Sequence, residues 1–163
     1  MSLTLRTARP DEVALVSSVL SEAAAWLETR GEHLWELSQL TPSALALEVT
    51  NGLYVLAFAE GAAVGALRFT LEDPLYWPEA SAGEAAYVHK LAVRRTWAGG
   101  KASSSMLAWA ASEAKRLGCA YLWLDCRASR PKLRSIYERF GFRYHSDHRV
   151  GPNLVARYEL PLL

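Results

Sequence analysis

The chain has 163 residues, 51% of them hydrophobic and 21% charged, with a formal net charge of +1. This is the length of one domain, large enough to bury a core without disulfides or metals. The near-neutral sum gives no electrostatic reason to expect nucleic acid or an anionic membrane as partner, and no apolar run is long enough to span a bilayer.

The opening Met1-Ser2-Leu3-Thr4-Leu5-Arg6 lacks the long apolar core of a signal peptide. Residues 2–8 alternate apolar and polar through Leu3 and Leu5, which predicts a short strand. Pro10 then opens a helix, with Asp11 and Glu12 at its positive end. Val13, Val16, Leu20, Ala23, Ala24 and Leu27 keep helical spacing as far as Arg30-Gly31. Thr41-Pro42 starts a second helix, a hydroxyl cap followed by proline in the first turn, and Asn51-Gly52 ends it. Residues 53–59 and 62–71 flank Glu60-Gly61 and predict a β-hairpin. Residues 72–78 contain two prolines and read as a loop carrying two exposed aromatics, Tyr76 and Trp77.

A strand over 85–93 and a turn over 94–100 follow, then a helix over 102–117 stopped by Gly118. Residues 120–125 form an apolar strand of the kind buried on both faces. A helix over 131–140 ends at Gly141, and strands over 142–145 and 154–160 close the chain. The order β-α-α-β-β-β-α-β-α-β-β predicts an α/β (α+β mixed) fold, a central mixed sheet flanked by helices, in a single domain over 1–163. Cys119 and Cys126 flank the 120–124 run, which would hold them about 20 Å apart. A disulfide needs Cα atoms within about 7 Å, so two free thiols and a reducing, cytoplasmic compartment are expected.

The informative stretch is Tyr87-Val88-His89-Lys90-Leu91-Ala92-Val93, then Arg94-Arg95-Thr96-Trp97, then Ala98-Gly99-Gly100-Lys101-Ala102-Ser103. A strand runs through a glycine-bearing loop into a helix, which places backbone N–H groups where an anion such as phosphate or pyrophosphate would sit. Downstream come the apolar strand, the polar loop 126–130 and Tyr137-Glu138-Arg139-Phe140-Gly141-Phe142. With these blocks in this order and spacing, the chain resembles the GNAT superfamily of acyl-CoA-dependent N-acyltransferases over nearly its whole length. The last block is the most specific piece.

The resemblance implies transfer of an acetyl group from acetyl-CoA to an amine of a small molecule or peptide, with no metal and by direct attack in a ternary complex. It implies a CoA site at Leu91, Ala92, Val93, Ala98, Gly99, Gly100, Lys101, Ala102, Ser103 and Ser104, with Arg130 near the pantetheine arm. The loop departs from the family pattern. Ala98 replaces Arg/Gln, Lys101 replaces the second glycine, Ser103 takes the third small position, and Arg130 stands where Asn is frequent. Lys101 can compensate as a point charge beside a pyrophosphate, and the hydroxyls of Ser103, Ser104 and Ser105 add donors. The alternative is a non-catalytic module of the same fold that holds CoA or another ligand on a degenerate loop.

By the same resemblance, His89 is the base that takes the amine's proton, directly or through water. Tyr137 is the acid that protonates the leaving thiolate, and the amide of Leu91 or Ala92 steadies the oxyanion. On a strand Tyr87, His89, Leu91 and Val93 share one face. Trp26, Trp35, Tyr76, Trp77 and Tyr87 fall in segments that line the acceptor pocket in the family. Glu72, Asp73, Glu79 and Glu84 can attract a cationic amine or form a solvated acidic loop. His33, His145 and His148 lack metal-ligand spacing, and 145–148 is expected in a hairpin loop. Dimers are common among relatives, and a homodimer stays open.

Overall fold

In the computed structural model, which describes residues 2–163, the strands are β1 (Thr4–Thr7), β2 (Tyr54–Ala59), β3 (Ala62–Thr70), β4 (Ala85–Val93), β5 (Tyr121–Arg127), β6 (Arg143–Val150) and β7 (Asn153–Pro161). The helices are α1 (Val13–Thr29), α2 (Pro42–Thr50), α3 (Ala102–Arg116) and α4 (Pro131–Phe140). The strands make one mixed sheet in the order β1-β2-β3-β4-β5-β7-β6, the α/β architecture expected from the sequence. Two units share these elements. One comprises the chain up to Arg68 and Lys90–Met106, the other Phe69–His89 and Leu107–Leu163. No helix among the described residues is long and apolar enough to cross a membrane.

In the first unit, the apolar stripe of α1 (Val16, Val19, Leu20, Ala24) joins Leu45 and Val49 of α2, Tyr54 and Leu56 of β2 and Ala66 of β3 in one buried cluster. Each such leucine or valine contributes roughly 1.5–3 kcal/mol by leaving water. Glu12 secures the start of α1. Its carboxylate accepts from the Arg9 amide at 2.8 Å and from both terminal nitrogens of Arg6 at 2.7 Å. Those Arg6 hydrogen bonds lower its pKa to about 2, against the opposing effect of burial. Thr41 caps α2 as expected, its Oγ1 accepting from the Ala44 amide at 3.2 Å. The hairpin turns at Glu60 and Gly61, both left-handed with φ 52° and 83°, the pairing that a two-residue turn matched to strand twist requires.

In the second unit, β4 and β5 pair in parallel over 85–88 and 121–124, and β5 and β7 pair antiparallel. Trp77 lies flat on Trp123, with centroids 4.2 Å apart and planes 6° apart, beside Tyr87. Trp77 is 2% exposed, which corrects its reading as an exposed loop aromatic. The acidic and proline residues around it gave the segment a surface signature, but the indole itself completes an aromatic cluster. Two further expectations change. First, β6 runs through His145-Ser146-Asp147-His148, with the reversal at Gly151-Pro152. It is the last strand in the sheet order and tolerates a polar sequence, and the register shift beside His145 hides its alternation. Second, β5 continues to Arg127, so Asp125 is a half-buried strand residue in what reads as a purely apolar run.

Candidate active site

The parallel ladder pairs Val88 with Leu124, and His89 and Asp125 are the next residues on the two strands. Both follow the face of Tyr87 and Trp123, because side chains alternate along a strand. Ligands of α/β sheets bind at such carboxyl ends. Asp73 comes from the loop after β3. One ring nitrogen of His89 and one carboxyl oxygen each of Asp73 and Asp125 lie within 4.8 Å of one another. Among the described residues this is the grouping close enough to hold a metal ion. His33, His145 and His148 are not part of it.

Asp73 is anchored at both ends. Its Oδ1 accepts from the Tyr76 amide at 3.1 Å, and its carbonyl accepts from the Trp77 amide at 2.9 Å. Its Oδ2 lies 3.9 Å from His89 Nε2. Thr70 Oγ1 lies 3.1 Å from the same nitrogen. Of the acidic residues expected around this loop, Asp73 meets His89 in this way. Glu79 bonds Arg157 at 2.6 Å, Glu84 accepts from the Ser81 amide at 3.1 Å, and Glu72 is exposed.

The Asp125 carboxyl is pushed up to about 7, first by burial and then by the charge of Asp73, with Arg157 opposing. Arg157 is its cross-strand partner on β7. Its guanidinium is spent elsewhere, on Glu79, on the Tyr76 carbonyl at 3.1 Å and on Ser146 Oγ at 2.9 Å. Among the described residues no lysine or arginine forms an ion pair with Asp125. A carboxyl that titrates near neutrality without a cation in place is suited to meet an ammonium group brought by a ligand.

Tyr137 of α4 is 8% exposed. Burial first, then Cys126 and Asp125, raise its pKa well above the usual phenol range, so it holds its proton at neutral pH. Cys126 is likewise pushed up to about 12 by burial. Both cysteines are free thiols, as expected. Beyond Asp125, a cleft of ≈ 440 Å³ is lined by Arg127, Ala128, Ser129, Pro152, Asn153 and Leu154. Arg130 stands next to it in sequence as the residue before α4, its amide donating to the Arg127 carbonyl at 3.0 Å.

In the first unit, the loop after β4 is fastened to α1. Arg94 bonds Ser18 and Glu22, each at 3.1 Å, the Arg95 amide donates to Glu22 at 2.7 Å, and the Arg95 guanidinium lies 3.5 Å from the Trp26 ring centre. Ala98 is extended, and Gly99 takes φ +81°, a conformation a side chain would strain. Among the described non-glycine residues only Glu60 and Lys90 have positive φ. Lys101 therefore enters α3 without the strain a missing glycine would suggest. The first amide bonded back is that of Ser105, to the Lys101 carbonyl at 3.0 Å. The first amides of an α-helix have no acceptor within the helix, so those of Ala102, Ser103 and Ser104 form a row of donors at the positive end of a 15-residue helix. This arrangement fits a phosphate or pyrophosphate.

The left-handed Lys90 interrupts β4 directly after His89. The shared-face argument therefore holds for Tyr87 and His89, whose rings lie 6.4 Å apart, and stops there. Beyond it Leu91 and Val93 are half-buried and Ala92 is buried. The five expected pocket aromatics divide between the units. In the first, Trp26 carries Arg95, and Trp35 packs against the core cluster. In the second, Trp77 and Tyr87 are core residues, and Tyr76 is half-buried, its hydroxyl pKa raised first by burial and then by Asp125 and Asp73. The sequence reading missed Asp125 and Thr70. A carboxylate inside an otherwise apolar strand was the available signal for the first, and nothing local marks the second.

Residues 19–142 match the model of the acetyltransferase (GNAT) family. The chain is 27% identical over 155 residues to the uncharacterized N-acetyltransferase YesJ of Bacillus subtilis (strain 168), covering 90% of this chain and 85% of that one. The crystal structure of an acetyltransferase of the GNAT family from Listeria monocytogenes 4b F2365 superposes with a TM-score of 0.79 at 22% identity, over 97% of this chain and 95% of that one. The structure of yncA from Salmonella typhimurium, solved with its cofactor acetyl-CoA, gives a TM-score of 0.75 at 13% identity, over 100% and 95%. At such identities the solved structures show the fold.

Proposed function

The chain belongs to the GNAT acetyltransferase family and is an acyl-CoA-dependent enzyme; on that premise we propose that it moves an acetyl group from acetyl-CoA to an amine of a small molecule or peptide by direct attack in a ternary complex. The observation that carries this reading is the meeting of His89, Asp125 and Asp73 at the carboxyl ends of β4 and β5. The opening amides of α3 support CoA phosphate binding, with the Lys101 charge and the hydroxyls of Ser103 and Ser104 beside them. The likeness to a structure holding acetyl-CoA supports the same donor. The acceptor arrives as an ammonium ion, drawn by the carboxylates of Asp73 and Asp125. His89 takes one proton from it, directly or through water. The neutral nitrogen attacks the thioester carbonyl and the C–N bond forms, with the amide of Leu91 or Ala92 as oxyanion donor. The C–S bond then breaks, and Tyr137 gives its proton to the leaving thiolate. We take residues 1–163 as one domain serving this reaction, and the two buried thiols support a reducing, cytoplasmic setting.

Calorimetric titration with acetyl-CoA, CoA and desulfo-CoA, followed by turnover on a panel of amines, tests the reading. Saturable micromolar binding and acetylation of at least one amine are expected. His89→Gln should lower kcat by about 10²–10⁴, the range for a lost general base, with acetyl-CoA affinity unchanged. Full turnover in His89→Gln would remove the residue from the chemistry, and absence of binding at millimolar acetyl-CoA would overturn the donor.

A further inference from the structure

Side chains two apart on a strand share a face, so Trp123, Asp125 and Arg127 follow one another toward the carboxyl end of β5. The Cα atoms of Asp125 and Arg127 stand about 7 Å apart at the usual strand rise. Arg127 is half-buried and lines the ≈ 440 Å³ cleft with Ser129 and Asn153, a volume that suits a small molecule. The two walls of the cleft are tied together. The Ala128 amide donates to the Leu154 carbonyl at 3.1 Å, and Arg134 Nη1 donates to the Ala128 carbonyl at 3.0 Å. Tyr76 reaches the same space. Its ring packs against the cluster of Trp77, Tyr87 and Trp123. Its hydroxyl pKa is raised by burial, then by Asp125 and Asp73, and lowered by Arg127 and by a hydrogen bond with the Asn153 side chain. The phenol thus meets the cleft wall and feels both charges. Among the described residues neither Asp125 nor Arg127 forms a salt bridge with a side chain of opposite charge.

A carboxylate and a guanidinium on one face, with a phenol beside them, complement a molecule that is itself zwitterionic. The carboxylate takes an ammonium group, and the planar fork of arginine matches a carboxylate in bidentate geometry. A diamine would bring a second positive charge to Arg127, and a peptide N-terminus would bring a neutral amide. We propose that the acceptor is a free amino acid, its ammonium group held at Asp125 and its carboxylate at Arg127, in the cleft between residues 127–129 and 152–154. This assignment rests on the reading of the chain as an amine acetyltransferase. Asp125 keeps the amine beside His89, and Arg127 selects what the amine is attached to.

Steady-state acetylation of three matched sets tests this: the common amino acids, their C-terminal amides and the amines left by their decarboxylation. At least one acid should be acetylated with kcat/KM roughly ten- to a hundredfold above its own amide and amine, the scale of one hydrogen bond to a charged group. Arg127→Gln should abolish that preference by raising KM for the acid, with kcat and acetyl-CoA affinity unchanged. Arg127→Lys keeps the charge without the fork and should recover part of it. Calorimetric titration of the same acids into the protein, with and without CoA, reads the contact without turnover, and the affinity should fall by the same factor in Arg127→Gln. Amides or amines used as well as their acids, an acid preference that survives Arg127→Gln, or no acid bound at millimolar concentration would overturn the proposal. If nothing is acetylated while an acid binds and Arg127→Gln loses it, the transfer reading fails and the amino acid site stands.

Discussion

Asp125 carries a cost that pH exposes. Its carboxyl titrates at about 7 in the folded protein against an ordinary 3.8. Between those values the folded state holds a proton that the unfolded state has lost, so stability declines as pH rises through that window. Asp125→Asn removes the penalty. Thermal unfolding should show the variant level with wild type at the acid end of the window and more stable at pH 8. A variant no more stable at pH 8 would mean that the carboxylate is already compensated inside the fold. The paired aromatics beside it separate packing from recognition. Trp77→Ala deletes a buried ring stacked on Trp123 and should cost about 3–5 kcal/mol in chemical denaturation. Tyr76→Ala removes a half-buried ring whose hydroxyl feels Asp125 and Asp73. It should raise the acceptor's KM while moving the unfolding midpoint far less. Neighbours in sequence, with the same aromatic character, they divide into core and candidate contact only once the fold aligns Trp77 with Trp123.

Among the elements, the loop between β4 and α3 is the one whose sequence misleads. Read against the family pattern it has lost two small or glycine positions, at Lys101 and Ser103. The backbone shows that its left-handed position is Gly99, which the chain retains. Lys101 and Ser103 sit where a side chain is tolerated. Gly99→Val forces a β-branched residue into that conformation at about 1–3 kcal/mol and should weaken acetyl-CoA binding in calorimetry. An unchanged Kd would show that this turn does not set the amides of α3. The cap of α2 at Thr41, the hairpin at Glu60-Gly61 and the stop of α4 at Gly141 were legible because each rests on one or two residues with special backbone or hydrogen-bonding chemistry. The extent of β6 was not. As the last strand in the sheet order it has a polar composition, and a register shift beside His145 breaks its alternation.

For the molecule as a whole, the alternation of helical and strand-like periods gives the order of elements along the chain, and the tertiary fold sets the sheet order β1-β2-β3-β4-β5-β7-β6, with β7 between β5 and β6. A ligand that binds only the folded chain stabilises it by mass action, by about 2.7 kcal/mol at a hundredfold excess over Kd. Acetyl-CoA should therefore raise Tm in proportion to the logarithm of its concentration, and a flat Tm would count against a site formed on folding. By itself the sequence determined the element order and the free thiols, and it singled out the loop before α3, His89 and Tyr137 as candidates, because periodicity, turn residues and motif spacing are local properties. The tertiary structure alone decided that Asp125 lies one residue past the same ladder as His89, that Asp73 turns its carboxylate to the ring, and that Thr70 Oγ1 lies beside its Nε2. Those groups lie as much as 55 residues apart in sequence. Only the parallel register of β4 with β5 and the course of the loop after β3 bring them together.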